Sequence, residues 1–176
     1  SLFGIKPKVI GETIKYPIKI KIDNPKEIGA DRVVNAVAAR KLYNKPVIII
    51  DFGTATTFDV VDGTGAYCGG VISPGINLSL SALQEAAARL PRVWIKKPAK
   101  AIGKNTVDAM QSGIYFGYIG LIEGIVSRIK AELKEKPIVI ATGGLAPMFA
   151  ESTKSIEKIE PDLTLIGLHA IFKSQR

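Results

Sequence analysis

Three short stretches of this sequence carry residue types that could act on a phosphorylated or hydroxylated ligand. The first is Asp51-Phe52-Gly53-Thr54-Ala55-Thr56-Thr57, which follows the apolar run Val47-Ile48-Ile49-Ile50. An aspartate at the carboxyl end of a buried strand stands in the crevice where α/β proteins bind ligands. Gly53 allows a tight turn with outward backbone N–H groups, and three threonines add hydroxyl donors. Such a turn suits phosphate, with Asp51 able to hold a cation or its hydration water. A satisfied strand-to-strand turn would use the same residues. The second stretch, Thr142-Gly143-Gly144, stands between a strand and a helix. Glycines there let a ligand approach the helix N-terminus, where unpaired N–H groups favour anions. A simple turn is the plainer alternative. The third is Gly29-Ala30-Asp31-Arg32 at the start of a helix. Asp31 could accept a proton from a hydroxyl, and Arg32 could grip a carboxylate through a two-pronged hydrogen bond. A helix-capping acid beside a surface arginine would look the same. The signature G-x-x-x-x-G-K-[ST] is absent, which argues against a P-loop nucleotide fold.

The elements that would position these residues follow from periodicity. Residues 7–10 read as a short extended segment. Tyr16 to Ile22 alternates in period two, as a strand exposed on one face would. A helix is expected from about Asp31 to Tyr43, apolar at Val34, Val37, Ala38 and Leu42 and stopping at Asn44. The run at 47–50 suits a strand buried on both faces. A second strand continues to Val61, Asp62-Gly63-Thr64-Gly65 reads as a hairpin turn, and Tyr67 to Ile72 forms a third strand. Pro74-Gly75 then opens a helix running to about Leu90. Residues 105–135 form the longest helical pattern, with Gly113, Gly117, Gly120 and Gly124 on one face. Each glycine costs a helix roughly 0.8–1 kcal/mol relative to alanine. Four together imply a close approach, either by an internal helix or by a partner subunit. A strand at 137–141, a short helix from Leu145, a strand near 156–159 and a final helix from about Leu163 complete the chain.

The 176 residues suit one domain, or one domain and part of another, and the 47% hydrophobic content argues against disorder. A lone Cys68 excludes an internal disulfide, and with a lone His169 it cannot build a structural zinc site of Cys and His ligands. The composition fits a reducing compartment. Cys68 is expected as a small buried residue and His169 as a surface or packing residue. The net charge is +8, and six basic residues between Arg89 and Lys104 lie among no acids. That segment is either an anion-attracting surface or a solvated connector. Only Trp94 lies within it, so it offers no base-stacking platform and nucleic acid is a weak reading. Ser1 to Lys21 has no signal-peptide pattern, and 109–122 is too short and polar for a bilayer, so a soluble chain is expected.

Taken in order, several motifs resemble type III pantothenate kinase. They are Gly29-Ala30-Asp31-Arg32, Asp51 to Asp59, and Gly69-Gly70-Val71-Ile72-Ser73-Pro74-Gly75. Gly103-Lys104-Asn105-Thr106 with Gln111-Ser112-Gly113, and Ala141-Thr142-Gly143-Gly144-Leu145-Ala146, follow. The resemblance runs from about Lys15 onward. It implies an α/β, ribonuclease H-like fold of the actin-like ATPase group, which includes the acetate and sugar kinases. Residues 1–44 would be the C-terminal part of a first domain and 45–176 a complete second one. It implies a cytoplasmic enzyme that phosphorylates pantothenate with ATP, the first step of coenzyme A synthesis. By motif, Asp31 would be the general base, Gly29, Ala30, Asp31 and Arg32 would line the pantothenate site, and Arg32 would take the carboxylate. Asp51 would hold a monovalent cation, K⁺ or NH₄⁺. Thr54 would contact ATP, Gly143 and Gly144 would flank the nucleotide, and Mg²⁺ would accompany it. Thr106 would reach pantothenate across a homodimer interface built on the glycine-faced helix. The family's first phosphate loop, Asp-x-Gly-Asn-Thr, is not in these residues, so this chain alone is expected to be inactive or very weak. The alternatives are a non-catalytic relative acting as an accessory transcription factor, an actin-like kinase for another small hydroxylated acceptor, and a fragment whose other half is a separate polypeptide.

Overall fold

A computed structural model describes residues 4, 9–11, 13–86 and 90–175. Residues 7, 8 and 87–89, which include parts of the expected first extended segment, second helix and basic segment, lie outside the described residues.

A five-stranded sheet organises the chain, with spatial order β3-β2-β1-β4-β5. The central strand β1 (Val47–Phe52) pairs antiparallel with β2 (Ala55–Val61) and parallel with β4 (Ile138–Thr142). On one side β3 (Tyr67–Pro74) extends the antiparallel ladder; on the other, the short β5 (Lys158–Ile159) runs parallel to β4. The apolar run at 47–50 is fully buried on both faces, as its lack of alternation predicts. Val47 and Ile49 face one core, with α1 (Ala30–Leu42) and α5 (Leu163–Lys173). Ile48 and Ile50 face the other, with the long α3 (Thr106–Leu133) and short α4 (Ala146–Ala150). Each of these four side chains contributes about 1.5–3 kcal/mol by burial. The sheet is therefore the middle layer of three.

The hairpin at 62–65 forms as expected. Asp62 accepts hydrogen bonds from the Thr64 and Ala66 amides, and the Gly65 amide closes the turn onto the Asp62 carbonyl at 2.8 Å. The helix α2 (Ile76–Ala86) follows β3. The α3 N-terminus is capped by Asn105, whose side-chain oxygen accepts from the Asp108 amide at 2.9 Å.

Two expectations are corrected. Tyr16 to Ile22 keeps its alternation, with residues 16, 18, 20 and 22 turned inward, but it forms no named strand. It meets the sheet only at an isolated bridge, Ile20 to Tyr67, through two backbone hydrogen bonds of 2.8 and 2.9 Å. Pro17 removes one backbone donor, which shortens any ladder there. Among the described residues the glycine face of α3 has no close internal neighbour. A Cβ built on Gly113, Gly117 or Gly120 would meet nothing within 4 Å, and at Gly124 it would meet only the Arg128 side chain. The helix packs instead through Tyr115, Tyr118, Ile122, Val126 and Ile129, so internal packing is overturned and the glycine face stands open.

Candidate functional site

The first turns of α1 bring three polar side chains over the sheet face that carries Asp51 and Asp59. In β1 and β2, Asp51 pairs across with Thr57 and Ile49 with Asp59, so the two carboxylates lie diagonally on one face. Asp31 is exposed in the first turn of α1. Arg32, the next residue, donates from Nε to Asp59 Oδ1 at 2.7 Å. Asn35, one turn after Asp31, donates from Nδ2 to Asp51 Oδ2 at 3.0 Å. The amide of Asn35 is itself oriented, because its oxygen accepts from the Thr164 hydroxyl on α5 at 2.8 Å. One helix thus leaves one carboxylate exposed, pairs a second with a guanidinium and holds the third through an amide.

The electrostatics follow from that placement. Burial pushes the Asp51 carboxyl above its ordinary value, with the Asn35 hydrogen bond opposing and the charges of Asp31 and Asp59 adding to the rise. Burial also raises Asp59, against the pull of Arg32, Tyr67 and Thr57. Asp59 is completely buried and accepts three hydrogen bonds, from Arg32, from Tyr67 Oη at 2.8 Å and from Thr57 Oγ1 at 2.9 Å. The Asp51 carboxylate keeps its other oxygen toward Gly53 at the strand end, 3.8 Å from where a Cβ of that glycine would lie. A single half-buried carboxylate there suits a singly charged cation. No group of three His, Cys, Asp or Glu side chains among the described residues could hold a metal ion.

Two grooves flank this corner. One, of about 390 Å³, is lined by Ile22, Asn24, Arg32, Tyr67, Gly70 and their neighbours. Gly70 is required at its floor: a Cβ there would lie 1.9 Å from the Phe58 carbonyl and 3.1 Å from an Arg32 terminal nitrogen. The other, of about 640 Å³, is lined by Phe52, Gly53, Thr54, Asn77, Ser81 and Gly144, among others. It joins the first two stretches singled out above. Gly143 makes that possible, since its φ is +89° and a Cβ would lie 2.6 Å from the Phe52 carbonyl. The turn after β4 therefore presses on the end of β1, and Gly144 faces open space beside Thr54.

Thr106 stands apart. It is exposed at the first residue of α3 and lines neither groove. Close by, Lys96, Lys97, Lys100 and Lys104 line a third concavity of about 500 Å³ with Asp108 and Gln111. The loop carrying them is pinned by Gln111 to the Trp94 carbonyl at 3.0 Å and by Ser112 to the Ala101 carbonyl. Cys68 is half-buried, not buried, with its thiol toward Asp62 and the Ala66 carbonyl; His169 is exposed.

Asp59, Tyr67, Asn35 and Thr164 were not singled out by the sequence reading. Two signals point to them. An aspartate inside the apolar strand Phe58-Asp59-Val60-Val61 must have buried partners, and so must an asparagine within the apolar face of α1.

Comparison with known proteins places the chain in a family. A sequence profile of the family described as type III pantothenate kinase matches residues 1–128. The type III pantothenate kinase of Paramagnetospirillum magneticum is 60% identical over 172 residues, covering 97% of this chain and 66% of that protein. That of Acidiphilium cryptum is 56% identical, covering 96% of this chain and 64% of that protein. A solved structure titled as a conserved putative Baf family transcriptional activator from Campylobacter jejuni superposes with a TM-score of 0.61 at 20% identity. It covers 89% of this chain and 68% of that one, a likeness of fold alone. The chain spans about two thirds of the length of the curated relatives it matches. With the profile match and an identity above one half across nearly every residue, the chain belongs to the type III pantothenate kinase family.

Proposed function

We propose that the intact protein transfers the γ-phosphoryl group of ATP to the primary hydroxyl of pantothenate. The observation that carries this reading is the corner where α1 sets Asp31, Arg32 and Asn35 over Asp51 and Asp59, between two grooves. Asp31, exposed and without a salt bridge among the described residues, is the group that takes the proton from the attacking hydroxyl. Gly29 and Ala30 join it to Ile28, which with Arg32 lines the groove of about 390 Å³, and Arg32 presents its terminal nitrogens to the pantothenate carboxylate. The groove lined by Thr54 and Gly144, with Gly143 behind it against the Phe52 backbone, takes the nucleotide, where turn amides and hydroxyls suit phosphate. Asp51 holds K⁺ or NH₄⁺ beside it. That cation, with Mg²⁺ on the ATP, supplies charge neutralisation for phosphoryl transfer.

The open glycine face of α3, with Phe116 exposed on it, serves in this reading as a homodimer interface that carries Thr106 to the partner's pantothenate groove. The fold is read as ribonuclease H-like, with residues 45–176 as one domain and 1–44 as the end of the domain before it. The five-stranded mixed sheet with helices on both its faces supports the fold reading, and α1 of residues 1–44 packs on that same sheet beside α5. No helix among the described residues is long and apolar enough to cross a membrane, and an ATP-consuming step of this kind belongs in the cytoplasm.

A coupled assay of ADP release from the intact protein tests the reading, with pantothenate, simple sugars and acetate as acceptors. Pantothenate-dependent release is expected; release with a sugar or acetate and none with pantothenate would assign another acceptor.

A further inference from the structure

Arg32 is not a free arginine on a groove wall. Its Nε is committed to Asp59, at 2.7 Å, and its guanidinium lies 5.8 Å above the ring of Tyr67. Asp59 is in turn completely buried and held by the Tyr67 and Thr57 hydroxyls. The arginine side chain is largely covered, with 17% of its surface exposed. A guanidinium has five N–H donors in a rigid plane, and Asp59 occupies the Nε edge. What remains for a ligand is the end carrying the two terminal nitrogens, one of which lies over Gly70 at the groove floor. An unanchored arginine would lose that orientation and the rotamer entropy of reaching it on each binding event.

We infer that Asp59, locked by Tyr67 and Thr57, is the positioning residue that aims the end of Arg32 into the groove, and so sets a preference for a ligand with a planar anionic end. The inference rests on the pantothenate reading of this groove. It assigns roles to Asp59 and Tyr67, which stand at that groove but to which that reading gives no individual part. Asp59 touches no ligand; it acts through Arg32. Its negative charge matters as well as its shape, because it compensates the guanidinium in part. The groove's other charged lining residues, Asp23 and Glu27, are acidic, so it takes a carboxylate through the directed N–H donors of Arg32 and not through net charge.

The test compares two ligands on the intact protein by calorimetry: pantothenate, and pantothenamide, in which a neutral amide replaces the carboxylate. The quantity read is the ratio of their dissociation constants. The parent is expected to prefer pantothenate by at least about tenfold, the scale of a charge-assisted hydrogen-bond pair. Asp59→Asn is expected to collapse most of that preference while pantothenamide binding changes little, which a general loss of folding would not produce. If Asp59→Asn does not fold, Tyr67→Phe removes one of the donors that lock the carboxylate, and a drop of about two- to fivefold in the ratio is expected. A ratio unchanged in the folded variant overturns the inference. A parent that binds neither ligand contradicts the pantothenate reading itself, and a parent that binds both equally overturns the role given to Arg32 and Asp59.

Discussion

The crossing of α1 and α5 offers a test of how the site is braced. Gly167 is buried on α5, directly against the backbone of Val34 on α1. A Cβ added there would lie 2.1 Å from the Val34 carbonyl oxygen and 2.7 Å from its Cγ1. Both contacts are well inside van der Waals distance, and one is with backbone, which cannot rotate away. Gly167→Ala gains about 1 kcal/mol of helix propensity. Overpacking a tight contact costs about 1–3 kcal/mol, and the backbone neighbour puts this site at the upper end or beyond. The net expectation is a loss of about 2 kcal/mol or more, or a Tm lower by at least roughly 4–8 °C for a protein of this size range. Relief of the clash must move α5 away from α1, and those two helices also carry Thr164 and Asn35, the first orienting the second, which donates to Asp51. The variant is therefore expected to lose activation by K⁺ more than its loss of stability alone would cause. Thermal and urea unfolding of the intact protein by circular dichroism give the first number, and initial rates against K⁺ give the second. A Gly167→Ala protein as stable as its parent would refute the packing argument, and unchanged K⁺ dependence would refute the coupling to Asp51.

Two other substitutions probe separate parts of the account. Gly117→Ala places a methyl where a single chain has nothing within 4 Å; it should add up to about 1 kcal/mol of helix stability. If that face joins two copies, sedimentation velocity should show the dimer weakened by about tenfold or more, and a dimer of unchanged affinity would remove α3 from the interface. Asp51→Asn should stabilise the fold at neutral pH while reducing cation activation. The Asp51 carboxyl is raised above its ordinary 3.8 by burial, so the folded state binds its proton more tightly than the unfolded chain. Stability from this group therefore falls as pH rises from about that value through the folded-state pKa, and stays lower above it. Unfolding measured from pH 3 to pH 8 should show a smaller decline in the variant, and an equal decline would contradict the assignment.

How much of this could be read from residues alone depended on how local each signal was. The β1 strand was legible because an unbroken Val-Ile run has one economical fate, burial on both faces, and all four side chains are at zero exposure. The 62–65 turn was legible because its hydrogen bonds close within four residues. The alternation at 16–22 correctly gave the inward side chains, but whether such a segment finds a ladder depends on an edge elsewhere in the chain, and among the described residues it bridges the sheet at Tyr67 alone. The glycine spacing of α3 marked a special face without saying what faces it. The network around the site was hidden for the same reason. Arg32 finds Asp59 across 27 residues and Asn35 finds Thr164 across 129, so no window of sequence contains either pair. Asp31 and Asp51 stood out as types of residue, while the side chains that orient their surroundings became visible only once the helices and sheet were assembled.

The measurement that bears most directly on the account is the turnover of the Asp31→Asn variant, made in the intact protein and assayed with ATP, K⁺ and pantothenate. A base that takes the hydroxyl proton contributes about 10²–10⁴-fold, so kcat should fall by that factor while the circular dichroism spectrum and Tm stay close to the parent's. A kcat within about threefold of the parent would mean that Asp31 is not the base. The corner where α1 meets Asp51 and Asp59 would then lose its claim to be the catalytic centre.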